Sequence, residues 1–215
     1  MGLFVVALAV AALCGYLLGS VNCSVLVSRM MYGEDVRTKG SGNAGMTNVL
    51  RSFGKKGAAL AFVGDTVKGA LGVFLGRWAL MLLAPDADPL YGMYIAGICT
   101  IVGHAFPLYF GFKGGKGVST SLGVILAIDP LTAIILLAIF LVILAVSKMV
   151  SLGSVLGIMF YPVLTLVFGL FVYKKPVLFA TICSAVVAAL VVFLHRENIK
   201  RILNGTEYKF GQKKE

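Results

Sequence analysis

Val118-Ser-Thr-Ser-Leu-Gly-Val-Ile-Leu-Ala-Ile-Asp-Pro130 decides how this chain is threaded. The run is apolar but shorter than the roughly 20 residues a helix needs to cross a hydrocarbon core of about 30 Å. Six longer apolar segments surround it, at residues 3–30, 58–83, 91–110, 131–146, 152–172 and 177–194. Between or after them lie three polar stretches. The first is Lys39-Gly-Ser-Gly-Asn-Ala-Gly-Met-Thr-Asn48. The second pairs Gly103-His-Ala-Phe-Pro107 with Phe112-Lys-Gly-Gly-Lys-Gly-Val-Ser-Thr120, and the third is His195-Arg-Glu-Asn198. If all three face one side of a membrane, an even number of crossings must separate each pair. Two segments separate the first from the second. Three long segments separate the second from the third, so residues 118–128 must count as a fourth crossing, ended by Asp129-Pro130. The expectation is an all-α polytopic membrane protein with seven transmembrane helices, one of them short, forming a single domain over residues 1–215.

Composition agrees. The 215 residues are 59% hydrophobic and 13% charged, against roughly 25% charged in soluble domains. The net charge of +10 is divided among short loops, which argues against nucleic acid and for anionic lipid and a phosphate-bearing substrate. Cys14, Cys23, Cys99 and Cys183 are scattered in or beside apolar runs, with no CxxC pair. They read as small hydrophobes, so neither a metal site nor a disulfide framework is expected. The N-terminus lacks the cationic start of a secretory signal, and Val6 stands where a myristoylation motif requires Ser or Thr. It is read as a retained first span.

Cations set the orientation. Arg29, Arg37, Lys39, Arg51, Lys55 and Lys56 cluster around the first polar loop. Arg196, Lys200, Arg201, Lys209, Lys213 and Lys214 follow the last span, while the other side offers the acidic loop Pro85-Asp-Ala-Asp-Pro89. Positive residues stay inside, so the polar motifs and the C-terminus are expected in the cytoplasm and the N-terminus outside. Lys174 and Lys175 fall on the opposite side in this scheme. Trp78, Tyr91 and Tyr94 suit an outer aromatic belt or plain packing.

In lipid, unpaired polar groups cost several kcal/mol each, so three donor-rich stretches imply a polar site. Motif one gathers Ser41, Asn43, Thr47, Asn48 and Arg51 with glycines that let the backbone turn. Arg51 offers a planar donor fork matched to phosphate. In motif two, Gly114, Gly115, Lys116 and Gly117 open directly into a helical segment, where backbone N–H groups attract anions and Lys116 adds a point charge. It is not a Walker A loop, because GxxxxGK[ST] is absent. His104 closes the preceding span. In motif three His195 and Asn198 share a helix face, and Glu197 is read as structural. Asp65 and Lys68, three residues apart in the second span, are expected to face inward and neutralise each other.

These three ordered motifs resemble those of the acyl-phosphate-dependent glycerol-3-phosphate acyltransferases of bacterial membranes. The likeness runs from Gly19-Ser20 to the tail Asn204-Gly-Thr-Glu-Tyr-Lys209. The resemblance implies seven helices in the inner membrane with a cytoplasmic active site. It also implies acyl transfer from acyl phosphate to glycerol 3-phosphate, giving lysophosphatidate and inorganic phosphate, with no cofactor. Transient contact with the enzyme that forms the acyl phosphate is a further implication. Acyl phosphate already carries a good leaving group, so the protein needs two anion sites and oxyanion donors rather than a covalent nucleophile. On this reading Ser41, His104, Lys116 and His195 are the catalytic candidates. Asn43, Thr47, Asn48, Arg51, Gly114, Gly115, Gly117 and Asn198 are the substrate-binding candidates. Either histidine, or the substrate's own phosphate, could take the proton.

Two rivals fare worse. The HxxxxD acyltransferase signature is missing, since Tyr109 follows His104 and Lys200 follows His195 at that spacing. An organic-phosphate transporter should show an internal repeat and a midplane site, and no repeat is visible.

Overall fold

The computed structural model describes residues 1–210, so Lys213 and Lys214 of the basic tail lie outside the described residues. It divides into two compact units, Met1–Ile128 and the chain from Asp129 onward. The described residues are helical, without strands.

The first unit contains α1 (Gly2–Gly19), α2 (Cys23–Tyr32), α3 (Met46–Phe53), α4 (Lys55–Leu83), α5 (Leu90–Ala105) and α6 (Val118–Ile128). Lipid offers no hydrophobic drive for one apolar helix to bury another, so close van der Waals packing through small residues has to hold spans together. The sequence supplies it. Ala7, Ala11, Gly15 and Gly19 repeat every fourth residue along α1 and are all buried, and α1 packs against α5 and α4. Gly76 of α4 and Gly92 of α5 approach so nearly that a Cβ on either would strike the other's carbonyl oxygen.

The expected first span, residues 3–30, falls within the single apolar segment Gly2–Tyr32, but it is built of two helices. It breaks at Ser20–Asn22, because the Asn22 Oδ1 accepts the Val25 N–H at 3.0 Å and restarts the helix as α2. A break in lipid frees backbone groups that need new partners. Lys68 Nζ donates to the Val21 carbonyl at 2.7 Å, and the Cys23 N–H donates to Asp65 Oδ1 at 3.4 Å.

The second unit contains α7 (Pro130–Ser147), α8 (Val150–Met159), α9 (Tyr161–Val167), α10 (Leu178–Leu194) and α11 (Arg196–Leu203). Asp129 caps α7 through Thr132, and Pro130 occupies the first turn where its missing N–H costs nothing. Phe160 separates α8 from α9, whose first turn holds Pro162, and α9 runs on into a π-helical turn at Phe168–Tyr173.

Among the described residues five segments are long and apolar enough to cross a membrane: Gly2–Tyr32, Lys55–Leu83, Leu90–Phe110, Pro130–Ser147 and Val150–Tyr173. A sixth exists if α10 and α11, bent by 60° at His195, count as one. Helix α6, at about 1.5 Å per residue, covers only about half of a 30 Å core.

Candidate active site

Motif one is organised from its interior. Asn48 is 2% exposed, and its Oδ1 accepts the Ser41 N–H at 2.9 Å. Its Nδ2 faces the carbonyls of Val36, Lys39 and Asn43 at 2.9–3.0 Å. Asn48 therefore braces the loop from within. Ser41 is exposed at the loop surface, and Asn43, Thr47 and Arg51 are half-buried. Thr47 and Arg51 stand one turn apart on α3, on a shared face.

Asp35, just before this loop, caps the short turn Val36–Thr38 and pairs with Arg37 and Arg29, each at 2.8 Å. The Arg37 guanidinium, more than Arg29, holds its carboxyl well below the usual carboxylate range. Arg37 then reaches motif two, donating to the Phe110 carbonyl at 2.6 Å and the Lys113 carbonyl at 3.3 Å. The Ala44 N–H donates to the Gly114 carbonyl at 3.3 Å, while Asn22 Nδ2 donates to the Ala44 carbonyl at 3.2 Å. Motifs one and two are thus one loop assembly, anchored at the break in the first span. The sequence reading counted Arg37 only as a loop cation and passed over Asn22. A lone Asn inside an apolar run was the available signal.

In motif two the glycine amides are already committed. Gly114 N–H donates to the Ala105 carbonyl and Gly115 N–H to the His104 carbonyl, both at 3.1 Å. They satisfy orphan carbonyls at the C-terminus of α5. Gly115 is buried, and a Cβ there would meet His104 Nε2 and the Ala44 carbonyl. Gly117 adopts φ +77°, a left-handed turn that starts α6, with half-buried Lys116 beside it.

Beneath the loops lies a buried polar cluster. Asp65, Lys68 and His104 are 1%, 4% and 3% exposed. Lys68 Nζ stands 2.8 Å from Asp65 Oδ1 and 3.0 Å from His104 Nδ1. The expected inward, mutually neutralised pair is there, and it carries His104 as a third member.

Motif three belongs to the second unit. His195 is buried at the α10–α11 bend, with Nδ1 2.7 Å from the Val191 carbonyl. Asn198 Nδ2 donates to Glu207 Oε1 at 2.7 Å. Glu207 also accepts from Ser151 and Arg201, both at 2.8 Å. Glu197 pairs with Lys200 at the exposed surface. Glu207 lay unremarked in the polar tail, because nothing local marks an acid as the partner of a residue nine positions earlier.

Burial pushes the Glu207 carboxyl up, but the donors Asn198, Ser151 and Arg201 outweigh it and hold it below its ordinary value. A lowered folded value means stabilisation that is complete above about pH 4.5 and lost as pH falls through the folded value. Melting curves between about pH 6 and about pH 3.5 should therefore show an acid-side loss in wild type that is smaller in Glu207→Gln. Parallel curves for the two proteins would remove Glu207 as the cause.

Among the described residues no cluster of three or more His, Cys, Asp or Glu side chains is arranged to hold a metal. Donors and cations prevail around motifs one and two, and the nearby carboxylate of Asp35 is taken up by Arg29 and Arg37. Such an assembly suits an anion.

Residues 9–205 match the family model described as glycerol-3-phosphate acyltransferase. The chain is 46% identical over 206 residues to a glycerol-3-phosphate acyltransferase of Clostridioides difficile (strain 630), covering 96% of this chain and 97% of that one. It is 40% identical over 200 residues to the protein of that name from Bordetella pertussis, covering 93% and 90%. The fold is similar to crystal structures of PlsY, an integral membrane glycerol 3-phosphate acyltransferase. Its glycerol 3-phosphate form gives a TM-score of 0.80 at 35% identity, covering 95% of this chain and 96% of that one. The lysophosphatidic acid form gives 0.78 at 34%, covering 95% of each.

Proposed function

Because this chain belongs to the glycerol-3-phosphate acyltransferase family, we propose that it moves a fatty acyl group from acyl phosphate to the 1-hydroxyl of glycerol 3-phosphate. The chain is a multi-pass membrane enzyme of phospholipid synthesis. In the reaction the hydroxyl oxygen bonds to the acyl carbonyl carbon, the acyl–oxygen bond to phosphate breaks, and the hydroxyl proton passes to an acceptor. Lysophosphatidate and inorganic phosphate leave.

The observation that carries this reading is the loop assembly of motifs one and two. It gathers Ser41, Thr47, Arg51 and Lys116 on a backbone fixed by Asn48 and Arg37, with the neighbouring carboxylates Asp35 and Glu34 paired to Arg29, Arg37 and Lys39. Lys116, the start of α6 and the motif-one hydroxyls take the acyl-phosphate group. Gly114, Gly115 and Gly117 contribute shape: two hold the α5 terminus and one turns the chain into α6. Arg51, with Ser41 and Asn43, takes glycerol 3-phosphate, and His195 and Asn198 are the second unit's own candidate donors. Fixed donors near the acyl carbonyl stabilise the developing oxyanion without reorganising. All seven helical segments cross the inner membrane, α6 as the short one, in a single acyltransferase domain. The motifs and C-terminus lie in the cytoplasm and the N-terminus outside.

The deciding assay mixes detergent-purified protein with palmitoyl phosphate and glycerol 3-phosphate and follows phosphate and lysophosphatidate, with palmitoyl-CoA as control. Turnover with palmitoyl phosphate alone is expected. Turnover with palmitoyl-CoA only would overturn the donor assignment. In the same assay Arg51→Ala should raise KM for glycerol 3-phosphate about 10–100-fold with kcat little changed, the size of a lost charge-assisted hydrogen bond. An unaltered KM would remove Arg51 from that site.

A further inference from the structure

The buried cluster under the loops settles the hydrogen-bonding state of His104. Lys68 has three N–H donors and no acceptor. Three acceptors surround it: Asp65 Oδ1 at 2.8 Å, the Val21 carbonyl at 2.7 Å and His104 Nδ1 at 3.0 Å. Two N–H groups cannot face each other at hydrogen-bond distance, so Nδ1 must present its lone pair. The competing arrangement, Nδ1–H donating to Asp65, would have to span 3.5 Å while Lys68 crowds the same nitrogen. A doubly protonated ring would leave the cluster one positive charge in excess at a site only 3% exposed, against the cost of uncompensated buried charge. Asp65 and Lys68 together are neutral, and only a neutral imidazole keeps them so.

We infer that Lys68 holds His104 as the neutral Nε2–H tautomer, making His104 a hydrogen-bond donor towards the glycine loop and excluding it as the general base of the acyl transfer. The Nε2 edge faces the space beside Gly115 and the Ala44 carbonyl, where motifs one and two meet. Among the described residues no hydrogen bond occupies Nε2. Its N–H is therefore aimed, in a largely water-free setting, at the loop assembly that the proposed function gives to the acyl phosphate. A fixed donor there can meet a phosphoryl or carbonyl oxygen, and it cannot accept the glycerol hydroxyl proton. Lys68 and Asp65 are positioning residues that act through His104. The inference about the donor's target rests on the acyltransferase reading, while the tautomer itself does not.

The chain has only two histidines, so selective ¹⁵N-histidine labelling separates the readouts. In the full-length protein in detergent, His104 should show a pyridine-type Nδ1 and a pyrrole-type Nε2 that persist from about pH 6 to about pH 8, where an ordinary histidine titrates. Lys68→Met alone would strand Asp65, so the paired change Asp65→Asn with Lys68→Met preserves charge balance. In that variant Nδ1 should begin to carry a proton. Kinetics add an independent arm. Gln places an amide N–H near the Nε2 position, so His104→Gln should lower kcat by no more than about tenfold, whereas loss of a general base costs about 10²–10⁴-fold. His104→Asn, whose amide reaches only the Nδ1 position, should lose more than His104→Gln. A protonated Nδ1 in the wild-type protein overturns the tautomer assignment. A drop beyond about 10²-fold in His104→Gln, with the tautomer intact, overturns the donor role. Absence of turnover with palmitoyl phosphate in wild type would count against the acyltransferase reading and leave the tautomer assignment standing.

Discussion

Replacing Asp65 with alanine is expected to lower the melting temperature in detergent by roughly 6–20 °C, the equivalent of about 3–5 kcal/mol for breaking one partner out of a buried pair. The carboxylate is 1% exposed, 2.8 Å from the Lys68 ammonium, and receives the Cys23 N–H at the start of α2. Its loss leaves an ammonium 4% exposed with only a carbonyl and an imidazole nitrogen as partners. It also leaves the break in the first span with an unsatisfied N–H. The damage is asymmetric, because a buried pair replaced as a whole costs little. Asp65→Asn combined with Lys68→Met should therefore regain most of the lost stability. The measurement is a thermal-shift series on the three proteins in one detergent. Equal melting of Asp65→Ala and wild type would mean the cluster contributes no stability. A double variant no better than the single would mean that charge imbalance is not the reason.

The second large effect concerns activity rather than stability. Gly115→Ala should reduce kcat/KM for palmitoyl phosphate by about 10²-fold, the scale on which a 1 Å misplacement acts. The backbone at Gly115 is compatible with alanine, since Gly115 is absent from the positive-φ positions. Space is what forbids the change. The added methyl would overlap the His104 ring and the Ala44 carbonyl oxygen, far inside van der Waals distance. The loop has to give, and it takes with it the Gly115 N–H bond that holds the α5 terminus. Gly157→Ala is the matched control. The nearest atoms to its Cβ lie 3.8 Å away, inside a helix where alanine is the better residue. That variant should be as active as wild type and no less stable. Wild-type kinetics in Gly115→Ala would show that the Gly115–His104 contact does not govern the site.

Much of this was legible in the sequence for reasons that differ by element. The α7 start was marked by Asp129-Pro130, and the predicted segment 131–146 sits inside Pro130–Ser147, because cap chemistry is local. The 3–30 segment was read correctly as one span, Gly2–Tyr32, but the helix break inside it was not. Hydropathy sums over a window, and one Asn with a short side chain hardly alters the sum while it breaks the helix. Motif one reads in sequence as a polar loop, and its side chains divide between bracing the loop and facing out. Asn48 faces inward to four backbone groups and Ser41 faces out. Spacing along a loop carries no information about which side chain turns inside.

The sequence by itself determined the class of molecule and the apolar segments long enough to span a membrane, and the family resemblance of its three motifs pointed to the reaction. Apolar length, cap residues and glycine clusters act over a few positions, and lipid tolerates few alternatives to helices. Only the tertiary structure decided that Asp65 and Lys68 close on His104, that Lys68 also takes the carbonyl freed at Val21, and that the Gly114 and Gly115 amides serve the end of α5. These contacts join groups between 9 and 47 positions apart. A buried charge or an orphan carbonyl must find some partner, and packing, not spacing, determines which one comes within hydrogen-bond reach.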